Sequence, residues 1–262
     1  MKQLKHNWRQ KLNKSSIYEN PVRYEEENWW KKDDLEIWKF LCKRSSGKDV
    51  LELASGTGRV AIPLLKEGFN LTGIELSKSF CDYASEQALN HGFETANFIQ
   101  GDISNFNLNQ KFDVIIVAYN SFLHLLKNEQ AEACLKCAKN HLKSGGKFYI
   151  DIYMPSPLHY YRPENLRYPT IEYFDSQINE EVTIEETNNY DPDREVNQLT
   201  WYYSSKTKKD FLVSEFSTRM YWPDTMNRIL IDAGFEILNL WGDYDLNPFG
   251  EESALQIYEL AL

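Results

Sequence analysis

From Asp49 to Met154, short apolar runs alternate with segments whose apolar residues recur every three or four positions. This rhythm predicts strands joined by crossover helices, hence a doubly wound, mostly parallel α/β sheet. The runs DVLEL (49–53), NLTGIEL (70–76), ANFIQGD (96–102), FDVIIVAY (112–119) and KFYIDIYM (147–154) are the five expected strands. Ser77 is placed to cap a helix that carries Phe80, Ala84 and Ala88 on one side and ends at Gly92. Asn128 opens another, lined by Ala131, Leu135, Ala138 and Leu142 and closed at Gly145. Beyond Pro155 the period changes: residues 180–222 hold three strand-like runs broken at DPDR and KTKK, an antiparallel meander. PDTMNRILIDAGF (223–235) then sets Met226, Ile229, Leu230 and Ala233 at helical spacing behind Pro223. EILNLW (236–241) and ALQIYELAL (254–262) supply two final strands.

Composition narrows the classes. The chain has 262 residues, enough to bury a full domain core with an elaboration. Its formal net charge of -10 disfavours a broad phosphate-backbone interface, so no nucleic-acid partner is expected. The opening MKQLKHNWRQKLNK is basic without the apolar core of a secretory leader, and no stretch approaches the ~18 apolar residues of a membrane span. Cys42, Cys81, Cys134 and Cys137 have no framework spacing; they read as reduced thiols of a cytoplasmic protein. Cys134 and Cys137 fall inside a helix-like segment with no second pair or histidine set, so they read as packing residues and no metal site is expected.

The chemistry concentrates in VLELASGTGRVAIPL (50–64). A strand ending at Leu53, then Gly56 and Gly58, then a helix, is a place where backbone approaches a ligand closely. Read as Gly56-x-Gly58-x-x-Ala61, the turn even satisfies the relaxed dinucleotide pattern, with Glu75 at the end of the next strand placed for ribose hydroxyls. Three details point elsewhere. Glu52 sits in the first strand four positions before Gly56, GIELS (73–77) ends the second, and QGDISNF (100–106) puts Asp102 just past the third.

Together these features resemble the class I S-adenosylmethionine-dependent methyltransferases of small-molecule type, over residues 49–154 and again over 222–262. The resemblance implies a Rossmann-like seven-stranded core (47–156 and 221–262), an N-terminal helical flap (1–46) and an antiparallel insertion (157–220) roofing the substrate. It implies S-adenosyl-L-methionine as cofactor, its methionine and ribose at Glu52, Ala54, Gly56 and Gly58, its ribose hydroxyls at Glu75 beside Leu76, and its adenine at Asp102 and Ile103. Tyr119, ending the fourth strand, and Tyr24, on the flap, are assigned to the same ligand. Carboxylates accept hydrogen bonds from vicinal hydroxyls or an exocyclic amine, and they tolerate a sulfonium better than a pyrophosphate.

Arg59 has two readings, a partner for the methionine carboxylate or a salt bridge at the helix start. His124, in AYNSFLHLL (118–126), is the candidate base; a satisfied structural histidine is the alternative. Tyr18, Tyr24, Trp29 and Trp30 either face cofactor and acceptor or anchor the flap. Trp201, Tyr202, Tyr203, Tyr221 and Trp222 either roof the acceptor or fill a core. The fourth strand ends in AYNSF, without the Asn/Asp-Pro-Pro-aromatic motif of enzymes acting on nucleobase or glutamine amines, and no double-acid loop of protein-arginine enzymes follows. A small-molecule acceptor, methylated at N or O, is the expected substrate. The rivals are an NAD(P)-dependent oxidoreductase, which leaves Asp102 without a role, and a non-catalytic cofactor-binding partner subunit.

Overall fold

The computed structural model describes residues 16–158 and 162–262. The first fifteen residues of the expected flap, and His159, lie outside the described residues. Strands β1 (Asp49–Leu53), β2 (Asn70–Glu75), β3 (Asn97–Gln100), β4 (Phe112–Val117), β5 (Leu142–Tyr153), β10 (Glu236–Trp241) and β11 (Leu255–Ala261) form a seven-stranded sheet in the order β10-β11-β5-β4-β1-β2-β3. β1 pairs in parallel with both β2 and β4, so the chain reverses its direction of travel there, at the carboxyl ends where open α/β sheets bind ligands. β11 enters antiparallel to β5, and β10 antiparallel to β11.

Strand alternation sorts the core into two layers. Leu51, Leu53, Ile115, Val117, Phe148 and Ile150 face one side, under helices α5 (Asn128–His141) and α6 (Pro223–Asp232). Val50, Val114, Ile116, Tyr149 and Ile257 face the other, under α2 (Leu35–Lys43) and α3 (Ala61–Lys66). Helix α4 (Lys78–Asn90) starts as its sequence predicts: Ser77 accepts a hydrogen bond from the Phe80 N–H, and Phe80, Ala84 and Ala88 are buried. Helix α5 stops at His141 rather than at Gly145, because Leu142 already takes an extended conformation and begins β5.

The insertion is a separate four-stranded antiparallel sheet, β6 (Tyr168–Asp175), β7 (Glu180–Asp191), β8 (Val196–Ser205) and β9 (Leu212–Arg219), in sequential order. The three strand-like runs are β7 to β9. β6 is additional: Pro169 interrupts its pattern, and a proline is tolerated there because β6 is an edge strand whose register shifts between Pro169 and Ile171. Helix α1 (Pro21–Glu27), capped by the Asn20 side chain, bridges insertion and core. Arg23 pairs with Asp175 of β6 at 2.9 Å, while Ser77 and Ser79 of the α4 start donate to the carbonyls of Tyr18 and Glu19.

At Gly73 in β2, an added Cβ would lie 2.5 Å from the Ser55 Oγ and 2.7 Å from Phe98. Gly73→Ala is expected to cost about 1–3 kcal/mol by overpacking, read as a lower urea midpoint at unchanged slope.

Candidate active site

Several elements end at one edge of the seven-stranded sheet. After β1 the chain turns through Ala54 (φ 56°), Gly56 (φ 57°) and Gly58 (φ 92°), with the Ser55 N–H held by the Ile74 carbonyl at 3.0 Å. The two glycines differ. A Cβ built on Gly56 meets nothing within 4 Å and would project into open space, the mark of a backbone left bare for a ligand; one on Gly58 would meet Ala84 at 3.4 Å and Ile62 at 3.5 Å. Gly58 therefore serves the approach of α4 to the turn.

Glu75 closes this loop from the neighbouring strand. Its Oε2 accepts from the Gly56 N–H (3.0 Å) and its Oε1 from the Ser77 N–H (2.8 Å). Burial raises its carboxyl above the ordinary range and these backbone donors pull it back. Each oxygen keeps a lone pair for a further donor. Leu76 beside it is 69% exposed, a large apolar side chain held at the rim, and Ile103 is buried below. Asp102 is exposed; its Oδ1 accepts from the Ser104 N–H and hydroxyl at 2.8 and 2.7 Å, which fixes the carboxylate past the end of β3.

Arg59 takes the salt-bridge reading. Its guanidinium forks onto Asp34, at 2.5 and 2.8 Å, and lies over the Tyr119 ring 5.0 Å from the centroid. Burial works to raise Asp34, but the Arg59 hydrogen bonds and Lys31, at 4.0 Å, overcome it and hold the carboxyl below its usual range. Glu52 is buried on the same side of β1, pushed up to about 8 by burial against the pull of Arg59, and its Oε2 has no hydrogen-bond partner among the described residues; nor has the Ser55 Oγ. Such orphaned buried polar atoms beside a bare backbone fit a polar ligand that completes them.

Across the sheet reversal, Tyr119 and Asn120 are both left-handed (φ 50° and 64°), a strained pair over-determined by Asp151. The Asp151 Oδ2 accepts from the Tyr119 N–H (3.2 Å) and the Tyr244 hydroxyl (2.9 Å), and its carbonyl accepts from the Asn120 N–H (3.0 Å). Burial lifts the Asp151 carboxyl to about 6. The Tyr119 hydroxyl donates to Asn28 of the flap at 2.9 Å. His124 follows on a 3₁₀ turn (Ser121–His124) and is exposed, with Nε2 2.7 Å from the Tyr18 hydroxyl. Surrounding protein disfavours its cation and holds its pKa below the ordinary value, against the Ser217 backbone, which favours the charged form.

The flap aromatics divide. Tyr18 and Tyr24 gather on Phe80 (ring centroids 6.1 and 5.0 Å away), at this edge; Trp29 and Trp30 are largely exposed. In the insertion, Trp201 and Tyr203 share one face of β8, opposite Glu186 and Ile184, whereas Tyr202 lies on the other face under Arg167. Tyr221 is a core residue packed on Phe122, with its hydroxyl donating to the Leu125 carbonyl. Cys134 is buried and Cys137 half-buried on α5, and all four cysteines are free. Sequence reasoning missed Glu27, Asp34, Asp151 and Tyr244. Asp151 carried a signal, as the lone acid in the apolar run YIDIYM; Glu27 was hidden in the acidic run YEEEN.

Gly56→Val is expected to abolish cofactor-site binding while the protein stays folded, at a left-handed cost of roughly 1–2 kcal/mol. Gly58→Val should chiefly lower the melting temperature, by displacing α4. Calorimetric titration with S-adenosylhomocysteine alongside thermal melts of both variants separates the two.

Residues 50–146 match the family model described as a methyltransferase domain. The chain is 26% identical over 122 residues to the cypemycin N-terminal methyltransferase of a Streptomyces species, covering 47% of this chain and 49% of that protein. It thus spans about half the length of the curated relatives it matches. Among solved structures, the CcbJ methyltransferase from Streptomyces caelestis superposes with a TM-score of 0.77 at 23% identity, over 87% of this chain and 94% of that one. The sugar N-methyltransferase KedS8 from a Streptoalloteichus species superposes at 0.67 and 17% identity, over 93% and 94%. The glycine turn and the Glu75 loop thus lie within a methyltransferase domain, which this chain carries at residues 50–146.

Proposed function

We propose that this protein transfers the methyl group of S-adenosylmethionine to a nitrogen of a small-molecule amine. One observation carries the reading: a bare glycine turn, a carboxylate fixed by that turn, and an exposed histidine all meet at one edge of the sheet, with buried carboxylates outnumbering Lys31 and Arg59 there. An acidic edge suits a sulfonium and an ammonium, and repels the pyrophosphate of a dinucleotide. Glu75 would hold the ribose hydroxyls and Asp102 the adenine amine, while Gly56 and the orphaned atoms of Glu52 and Ser55 would face the methionine portion. Arg59 positions Asp34 and Tyr119 instead of meeting that ligand's carboxylate.

When bound, S-adenosylmethionine supplies an electrophilic methyl carbon. The chain's part is mainly positional. Tyr18 and His124 stand side by side to orient the incoming nitrogen and take its proton, with the imidazole kept neutral near pH 7 by its surroundings. The inner face of the insertion, with Trp201 and Tyr203, would roof the acceptor. N-methylation is preferred over O-methylation because of the acidic surroundings and because relatives of this fold bear N-methyltransferase names. No helix among the described residues is long and apolar enough to cross a membrane, and a cytoplasmic setting agrees with four free cysteines.

Radiolabelled methyl transfer to paired amine and alcohol libraries tests the reading: label is expected on amines and absent from matched alcohols. Saturation with S-adenosylmethionine at 100 times its Kd should add about 2.7 kcal/mol of stability, and NAD(P) none. Glu75→Ala should weaken S-adenosylmethionine and S-adenosylhomocysteine equally, by roughly 1.5–3 kcal/mol, as measured by calorimetry. His124→Ala should lower kcat by about 10²-fold at unchanged cofactor Kd. Trp201→Ala should raise the acceptor KM with cofactor affinity intact.

A further inference from the structure

Helix α1 turns three consecutive acids in three directions. Glu25 accepts from the Thr57 hydroxyl at the glycine turn, and Glu26 from the Ser176 N–H at the start of the β6–β7 turn. Glu27 points inward and is 1% exposed. Its Oε2 accepts from the Tyr203 hydroxyl at 3.0 Å. The neighbouring cation is already engaged, since Arg23 donates its Nε to Asp175 at 2.9 Å, and among the described residues Glu27 has no ion-pair partner. Taking a carboxylate out of water is costly unless a cation or several donors compensate it. Packing alone does not need the charge, because a glutamine would accept the same Tyr203 hydrogen bond.

The position is informative. Tyr24, one helical turn earlier, packs at a tilt against Phe80 and lies 6.0 Å from Tyr18, whose hydroxyl meets His124. Asn28, the next residue, receives the Tyr119 hydroxyl. Glu27 therefore stands where the flap, the inner face of β8 and the cofactor edge converge. The hydroxyls of Tyr18, Tyr24, Tyr119, Tyr173 and Tyr203 all feel its charge. A buried carboxylate held by one tyrosine hydroxyl, with further tyrosines within reach of its charge, suits recognition of an alkylammonium. Burial pushes its carboxyl up to about 8, against the Tyr203 hydrogen bond and Arg23 and with Asp175, so a cation arriving there would gain by ionising it.

We infer that Glu27 seats the cationic nitrogen of the acceptor beside the methyl-transfer point, which makes the acceptor an amine delivered as its ammonium. The inference rests on the methyltransferase reading above. Glu27 holds the charge from helix α1 while Tyr18 and His124 face the same nitrogen.

Two cofactor analogues test it without knowing the acceptor: S-adenosylhomocysteine, and sinefungin, which carries an amine-bearing carbon in place of the methylated sulfur. Calorimetry on wild type and Glu27→Gln at pH 7.5 is expected to leave the S-adenosylhomocysteine Kd within about twofold and weaken sinefungin by about tenfold or more. Unchanged sinefungin affinity, or an equal loss of both ligands, overturns the assignment and leaves Glu27 a packing residue. If wild type binds neither ligand, the methyltransferase reading itself falls, and this inference with it. The variant should melt no lower than wild type at pH 8.5, since glutamine keeps the hydrogen bond without the buried charge. Should it not fold, wild type alone decides. Burial, the Tyr203 hydroxyl, Arg23 and Asp175 set the titration of Glu27, and the preference for sinefungin over S-adenosylhomocysteine should grow from pH 6.5 to 8.5 as the carboxyl ionises. A flat ratio overturns the assignment.

Discussion

The burial of carboxylates at one edge of a parallel sheet is the constraint on which the rest of this structure depends. Asp34, Glu52, Glu75 and Asp151 are all buried around the ends of β1, β2 and β5, and Lys31 and Arg59 are the cations among them. Uncompensated charge in such a place is expensive, so each acid is held by specific donors or pushed toward its neutral form. Asp34 takes both arms of Arg59 and ionises readily, Glu75 takes two backbone N–H groups, and Glu52 and Asp151 are shifted upward. The surplus of acid defines the sign of the ligand the edge is built to receive.

The flap is placed by the same set of groups. Asp34 immediately precedes α2, so the Arg59 fork ties that helix to the chain just after the glycine turn. Thr57 reaches Glu25 of α1 from inside the turn, and Ser77, next to Glu75, reaches the Tyr18 carbonyl. A change in the glycine turn is therefore felt in the segment that would cover the ligand. On the far side, Asp151 joins the strained pair Tyr119–Asn120 to Tyr244 of the loop before β11, and Tyr119 returns to the flap through Asn28. Two left-handed residues in succession persist because the Asp151 carboxylate and backbone hold both N–H groups.

The insertion contributes a polar-to-apolar gradient on one face. Near α1, Tyr173, Val182, Ile184, Tyr203 and Leu212 form a small core of their own. Further along the same face come Glu186, bound by Arg162 and the Trp201 indole, then Asn188 bonded to Asn197. A face that passes from aromatic to hydrogen-bonding groups within one sheet is suited to a molecule with both kinds of surface.

Local sequence pattern was enough for the core strands, for three strands of the insertion and for the helices that begin near Ser77, Asn128 and Pro223. Alternation and turn residues placed β1, β10 and α4 closely, because strand period, Ser77 and the flanking glycines are properties of short stretches. The edge strand β6 escaped because Pro169 breaks its pattern, and only pairing with β7 reveals it. The glycine turn, Glu75 and Asp102 were legible as residues at strand ends, since topology alone carries them to one edge. What tertiary structure decided was partnership. Arg59 could have faced a ligand or an acid until Asp34 arrived from 25 residues away, and Gly56 and Gly58 looked alike until α4 was packed against one of them. In YEEEN, three acids look equally solvated; the phase of a single helical turn, set by Arg23 on Asp175 and by Tyr203, buries Glu27 and leaves Glu25 and Glu26 half-buried. Burial and partnership arise from groups distant in sequence, and so no local pattern in the chain contains them.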